Sequence, residues 1–194
     1  MFNTVEPLIL ASSSPRRRRF LGDLGLDFTI KPAMVSEKAG PGESPEEFVK
    51  RLARKKGTVV GREYPGVWVL SADTAVVLDG KILGKPESED EAVDMLSSLA
   101  GRCHEVWTGY GIFRFKDHQE YVNAVMTKVY LCKLTKMLCR TYVRGGKSMD
   151  KAGAYGIQGG GAFLVSRIEG SYTNVVGLPL AEVIENLLSY GVIR

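Results

Sequence analysis

Pro7-Leu8-Ile9-Leu10-Ala11-Ser12-Ser13-Ser14-Pro15-Arg16-Arg17-Arg18-Arg19 is the stretch on which the reading of the fold turns. Its apolar run reads as a buried strand. Ser14 suits a helix N-cap and Pro15 the first helical position, so a helix is expected to about Leu24, with Gly25 ending it. The junction gathers serine hydroxyls and unpaired amides at a helix N-terminus, a natural anion site. It then sets four arginines where the helix dipole disfavours cations by up to about 1 kcal/mol each. A polyphosphate would compensate them, and so would solvent or nearby carboxylates.

Working outward, Ser44-Pro45-Glu46-Glu47 is a capping box opening a helix to about Lys56. Val67 to Leu70 reads as a strand that Ala75 to Leu78 continues or pairs with. Asp79-Gly80 is a hairpin turn into Lys81 to Leu83. Ser88 and Glu91 make a further capping box before Ala92, Met95, Leu96 and Leu99 on one helical face. His104 to Phe115 and Tyr121 to Cys132 alternate as an antiparallel pair around Lys116-Asp117-His118. A helix over about Thr135 to Arg144, a strand over Ala162 to Ile168 and a helix over Pro179 to Tyr190 complete the pattern. Interspersed helices and hairpins predict an α/β fold with a mixed sheet.

The 194 residues, 44% of them hydrophobic and 25% charged, can bury a sizeable core, and residues 1–194 are expected to form a single domain. A net charge of +4 is far short of a dedicated nucleic-acid binder. No apolar run reaches the roughly 18 to 20 residues of a membrane span, and Met1 to Ala11 lacks the features of a signal peptide. Cys103, Cys132 and Cys139 cannot all pair and form no Cys-x-x-Cys, so free thiols in a cytoplasmic protein are expected.

Two resemblances fail. Gly146-Lys147-Ser148 looks like the end of a phosphate-binding P-loop, but its first glycine would have to be Thr141. Gly159-Gly160-Gly161 completes no G-x-G-x-x-G. Three other features carry more. Ser71-Ala72-Asp73-Thr74 follows an apolar strand, and a carboxylate at a strand end can hold a metal, activate water or merely cap a turn. Gly84-Lys85-Pro86 offers a lysine on a stiff loop. Asp150-Lys151-Ala152-Gly153-Ala154-Tyr155-Gly156-Ile157-Gln158-Gly159 is glycine-dense around one amide, which allows a close backbone approach to a ligand or a set of tight turns. Together they point to a nucleotide site.

These pieces, with Arg51-Leu52-Ala53-Arg54-Lys55-Lys56, Gly170-Ser171-Tyr172 and Val176-Gly177-Leu178-Pro179-Leu180, occur in the order of the Maf family, which the chain resembles over essentially its whole length. The family comprises nucleoside triphosphate pyrophosphatases once tied to septum formation. The resemblance implies an inosine-triphosphatase-like α/β fold, with an elongated, curved mixed sheet, helices on two lobes and a cleft between them. It implies hydrolysis between the α- and β-phosphates in a homodimer, with Mg²⁺ or Mn²⁺. It puts the proton-accepting aspartate at Asp73 and substrate-binding residues at Ser12, Arg16, Arg17, Glu37, Lys56, Thr74, Lys85 and Gln158. The metal-facing carboxylates are Asp73 and Glu37. Ser36 departs from relatives that carry a second acid there, and Gly57 stands where alanine is usual, implying a weaker helix end.

Arg16, Thr74 and Gln158 match the branch of the family specific for dTTP and UTP, with CTP as a weaker substrate. A branch for 7-methylguanosine triphosphate has tryptophan, glutamine and glutamate at these places. Chemistry agrees, because a cationic purine favours an indole face and a carboxylate, whereas an amide can donate to a pyrimidine carbonyl and accept from its N3–H. Other readings are an ITP-cleaving enzyme on the same fold and a non-catalytic nucleotide-binding regulator of cell division. If Arg17 and Lys85 are only phosphate partners, Arg17→Ala and Lys85→Ala should lower activity while barely changing the melting temperature.

Overall fold

Ser14 caps its helix as the local sequence demands, its Oγ accepting from the Arg17 amide at 3.5 Å, with Pro15 at the first helical position. The computed structural model describes residues 1–146 and 148–194; Lys147, in the discarded phosphate-loop match, lies outside them. In chain order the elements are β1 (Leu8–Leu10), α1 (Pro15–Asp23), β2 (Thr29–Ile30), α2 (Pro45–Glu63), β3 (Trp68–Leu78) and β4 (Lys81–Leu83). There follow α3 (Glu89–Leu99), β5 (Cys103–Arg114), β6 (Gln119–Leu131), α4 (Lys136–Arg144), β7 (Val165–Glu169), α5 (Tyr172–Val176) and α6 (Leu180–Ser189). The sheet is seven-stranded, in the order β2-β1-β3-β5-β6-β7, with β4 paired to β3. β1 is parallel to both β2 and β3, while β3–β4 and β6–β7 are antiparallel, so the sheet is mixed as expected. No helix among the described residues is long and apolar enough to cross a membrane.

The chain forms two compact units. Unit 1 comprises residues 1–73, 108–125 and 177–194. Its main core packs Leu8 and Leu10 of β1 and Trp68 and Leu70 of β3 with Leu21 of α1 and Val183 and Leu187 of α6. A second cluster joins Ile9, Val60, Val69 and Phe113. Unit 2 comprises residues 74–107 and 126–176, and its core joins Val76, Leu96, Leu99, Val106, Val129 and Leu164.

Four local expectations change. α2 runs on to Glu63 instead of stopping near Lys56, because Gly57 and Gly61 are packing positions and not helix enders. A Cβ at Gly57 would lie 2.1 Å from the Phe113 ring, and one at Gly61 2.4 Å from Phe115. β3 is one continuous strand through Ser71-Ala72-Asp73-Thr74, so Asp73 lies within a strand and not at its end. The polar residues are tolerated there because they find partners; Ser71 Oγ, for example, donates to the Ala53 carbonyl at 2.7 Å. Ala162 to Leu164 belongs to a 3₁₀ stretch, Gly159–Leu164, and the strand starts only at Val165. The capping box at Ser44 and Glu47 is complete, but at Ser88 only half forms, since Glu91 Oε2 accepts from the Glu87 amide. At Asp79-Gly80 both residues have positive φ, 50° and 75°, the backbone of a type I′ hairpin.

Candidate active site

Ionic chemistry in unit 1 is built around Arg17, in the first turn of α1 and only 8% exposed. Its Nε donates to the Gly177 carbonyl at 2.7 Å, and its Nη1 to Ser12 Oγ at 3.0 Å and the Ala72 carbonyl at 2.9 Å. Three segments distant in sequence are thereby tied to one planar fork, which suits a guanidinium better than an ammonium. Gly177 has φ +124°, a conformation that L side chains rarely adopt, which accounts for the glycine in Val176-Gly177-Leu178. Burial lowers the Arg17 pKa, against the pull of Asp73 and Glu37. Arg16, next to it, is half-buried, and its charge also disfavours the Arg17 cation.

Asp73 is 7% exposed. Its Oδ1 accepts from Lys56 Nζ at 2.6 Å, and the same ammonium donates to Glu37 Oε1 at 2.6 Å. Lys56 reaches them from the middle of α2, itself buried, while Glu37 lies on the exposed segment before that helix. Burial raises the Asp73 carboxyl above its ordinary value, although Lys56 and Arg17 both pull it down. A buried carboxylate whose pKa burial raises is a better proton acceptor than an ordinary aspartate, as a general base requires. Among the described residues no group of three or more His, Cys, Asp and Glu could hold a metal alone. Two carboxylates do suit Mg²⁺ or Mn²⁺ if phosphates and waters complete the shell. A surface hollow of about 760 Å³ alongside Glu43, Arg51 and Arg54 contains none of the candidate residues.

Ser12, Arg17, Glu37, Lys56 and Asp73 are thus brought together in unit 1, and Thr74, Lys85 and Gln158 belong to unit 2. Thr74 is half-buried in β3, directly after Asp73, and Lys85 is exposed two residues past β4. Gln158 is exposed, and its Nε2 donates to Tyr172 Oη at 3.3 Å. The segment carrying Gln158 is anchored within unit 2. The Gly153 amide donates to the Gly84 carbonyl at 3.0 Å, beside Lys85, and the Gly156 amide donates to Tyr142 Oη at 3.2 Å. Tyr155 Oη lies 2.6 Å from Nε2 of the buried His104.

That His104–Tyr155 pair went unread in the sequence, as did Asn174, which is fully buried and donates through Nδ2 to the Val106 carbonyl and Thr127 Oγ1. Tyr155 and Asn174 lie in or just after motif stretches quoted above. Nothing in the spacing marks their partners.

The family model described as Maf-like protein matches residues 7–190. A protein of Desulfotalea psychrophila named dTTP/UTP pyrophosphatase is 51% identical over 193 residues, covering 100% of this chain and 99% of that protein. One of Geobacter sulfurreducens with the same name is 47% identical, covering 95% of this chain and 96% of its own length. Among solved structures, a HAM1 protein from Coxiella burnetii matches with a TM-score of 0.54 at 12% identity, covering 96% of this chain and 100% of that one. That likeness bears on the fold alone and agrees with the inosine-triphosphatase-like α/β fold expected above.

Proposed function

The chain belongs to the Maf family, and from that premise we propose that it hydrolyses dTTP and UTP to the nucleoside monophosphate and pyrophosphate. The observation that carries the reading is the buried Asp73 carboxylate, held by Lys56 beside Arg17 in a chain 51% identical to a protein named for this activity. Asp73 accepts the proton of the water that attacks the α-phosphorus, and the bond to the α–β bridging oxygen breaks as pyrophosphate leaves. Arg16, Lys56 and Lys85 offset charge developing on the leaving group, and Arg17 contributes its charge from a fixed position. Ser12 donates a hydroxyl proton to a phosphate oxygen while its Oγ accepts from Arg17. Asp73 and Glu37 would hold Mg²⁺ or Mn²⁺, which when bound supplies charge neutralisation at phosphate oxygens. Thr74 and Gln158 act on the base, with Gln158 reading a pyrimidine carbonyl and N3–H.

The same reading makes the protein a cytoplasmic single-domain homodimer that binds neither nucleic acid nor membrane; light scattering tests the dimer. Purified protein with Mg²⁺ or Mn²⁺ and a panel of dTTP, UTP, CTP, 7-methyl-GTP, ITP and ATP tests the chemistry through pyrophosphate release. dTTP and UTP should exceed 7-methyl-GTP, ITP and ATP by at least about tenfold in kcat/KM, roughly 1.4 kcal/mol of discrimination. Preferential cleavage of 7-methyl-GTP or ITP would overturn the base assignment, and release from none would favour a non-catalytic regulator.

A further inference from the structure

Lys56 occupies an unusual place for a residue whose expected partner is phosphate. Its Nζ sits between the two carboxylates that a divalent cation would need, 2.6 Å from each. An ammonium is a compact point charge on a flexible stem with three donors, able to change partners, as a guanidinium fork tied at three points is not. Charge points the same way. Asp73 and Glu37 supply two negative charges, Lys56 and Arg17 match them with two positive, and Arg16 adds its positive charge beside Arg17, so these side chains carry no excess of negative charge for a further cation. A divalent ion added alone would raise the positive charge further where Arg17, Lys56 and Asp73 are all buried. A triphosphate brings the negative charge that is missing, and gives Lys56 somewhere to go.

We infer that Lys56 is a stand-in cation: it closes the Glu37–Asp73 pair in the free protein, so that the divalent ion is admitted only with the nucleotide. This rests on the pyrophosphatase reading for its purpose, but its test uses no nucleotide. Lys56 must release both carboxylates before an ion can take them. The pair is therefore shielded from metal between turnovers, and binding order follows from charge.

Mn²⁺ is titrated into the nucleotide-free full chain, and free Mn²⁺ is read by electron paramagnetic resonance for the wild type, Lys56→Met and Lys56→Gln. Both variants should bind Mn²⁺ at least about tenfold more tightly than the wild type, about 1.4 kcal/mol. Adding Glu37→Gln should remove the gain. Equal or weaker binding by a variant that circular dichroism shows to be folded overturns the inference, and so does a gain that survives Glu37→Gln. Should neither variant fold, the wild type decides. With ¹⁵N-labelled lysine, Mg²⁺ alone should leave the Lys56 Nζ resonance in place, and its displacement by Mg²⁺ alone overturns the inference. Failure to release pyrophosphate from any triphosphate would sink the functional reading and leave these titrations as informative as before.

Discussion

Both units bury neutral polar groups, but they differ in buried charge. Among the described residues, the buried charged side chains are Arg17, Lys56 and Asp73, all in unit 1. In unit 2 the buried polar side chains are His104, Thr127, Ser148 and Asn174, and burial of His104 favours its neutral form. Charges taken out of water cost several kcal/mol each unless paired, so a fold that needs only rigidity does better with neutral pairs. Unit 2 follows that rule and steadies the segment carrying Gln158 through the His104–Tyr155 contact. Unit 1 departs from it at the residues assigned to phosphate chemistry. Buried charge thus coincides with the residues proposed for phosphate chemistry, and the buried polar groups of unit 2 are neutral.

The strongest way to break this contrast is Arg17→Met. It strips donors from the Gly177 and Ala72 carbonyls and from Ser12, and leaves Asp73 with one cation fewer. Removing one partner from such a buried arrangement destabilises by about 3 to 5 kcal/mol. Urea denaturation should show that loss together with loss of activity. This revises the expectation that Arg17 could be removed without touching the melting temperature; a variant as stable as the wild type would restore it. For the exposed Lys85 the original expectation stands.

Unit 2 should respond to acid through His104. Burial lowers its pKa from 6.5 to about 4, so the unfolded chain takes up a proton before the folded one does. The stability from keeping His104 neutral is whole above pH 6.5 and drains away as pH falls toward 4, reaching about 3 kcal/mol. Denaturation midpoints at pH 7.5, 5.5 and 4.5 should fall in the wild type and fall less in His104→Gln. Parallel curves would mean that His104 carries no such burden.

Asp73→Asn separates reactivity from architecture in unit 1. The amide keeps the shape but cannot accept the proton, so turnover should drop by roughly 100-fold or more, about 2.7 kcal/mol. Because burial raises the Asp73 carboxyl, the acid limb of the wild-type kcat/KM profile should lie above the ordinary aspartate value of 3.8. Near-normal turnover of the variant with metal present would remove Asp73 from its role. The smallest effect is expected at Gln158, on the unit 2 side of the contrast. Gln158→Glu should erode the tenfold pyrimidine preference, about 1.4 kcal/mol, with stability unchanged, since the side chain is exposed.

Caps, turns and the order of motifs were determined by the sequence alone. Ser14 and Pro15, the Ser44–Glu47 box and the Asp79-Gly80 turn depend on contacts within a few residues, so their chemistry is visible in the string itself. The motif series from Leu8 to Leu180 likewise named the family and the candidate residues. Tertiary structure alone decided what those residues do to one another. Lys56 meets Asp73 across 17 positions, Arg17 meets Ala72 across 55 and Gly177 across 160, and His104 meets Tyr155 across 51. Gly57 reads locally as a weak helix end, and only tertiary structure puts the Phe113 ring in the space a side chain there would fill. Local propensity acts through the next turn of chain, whereas burial, ion pairing and ring packing depend on which distant segments share a core. The sequence could therefore name Arg17 and Lys56 as cations for a phosphate, but only the fold could make one a structural tie and the other a bridge between carboxylates.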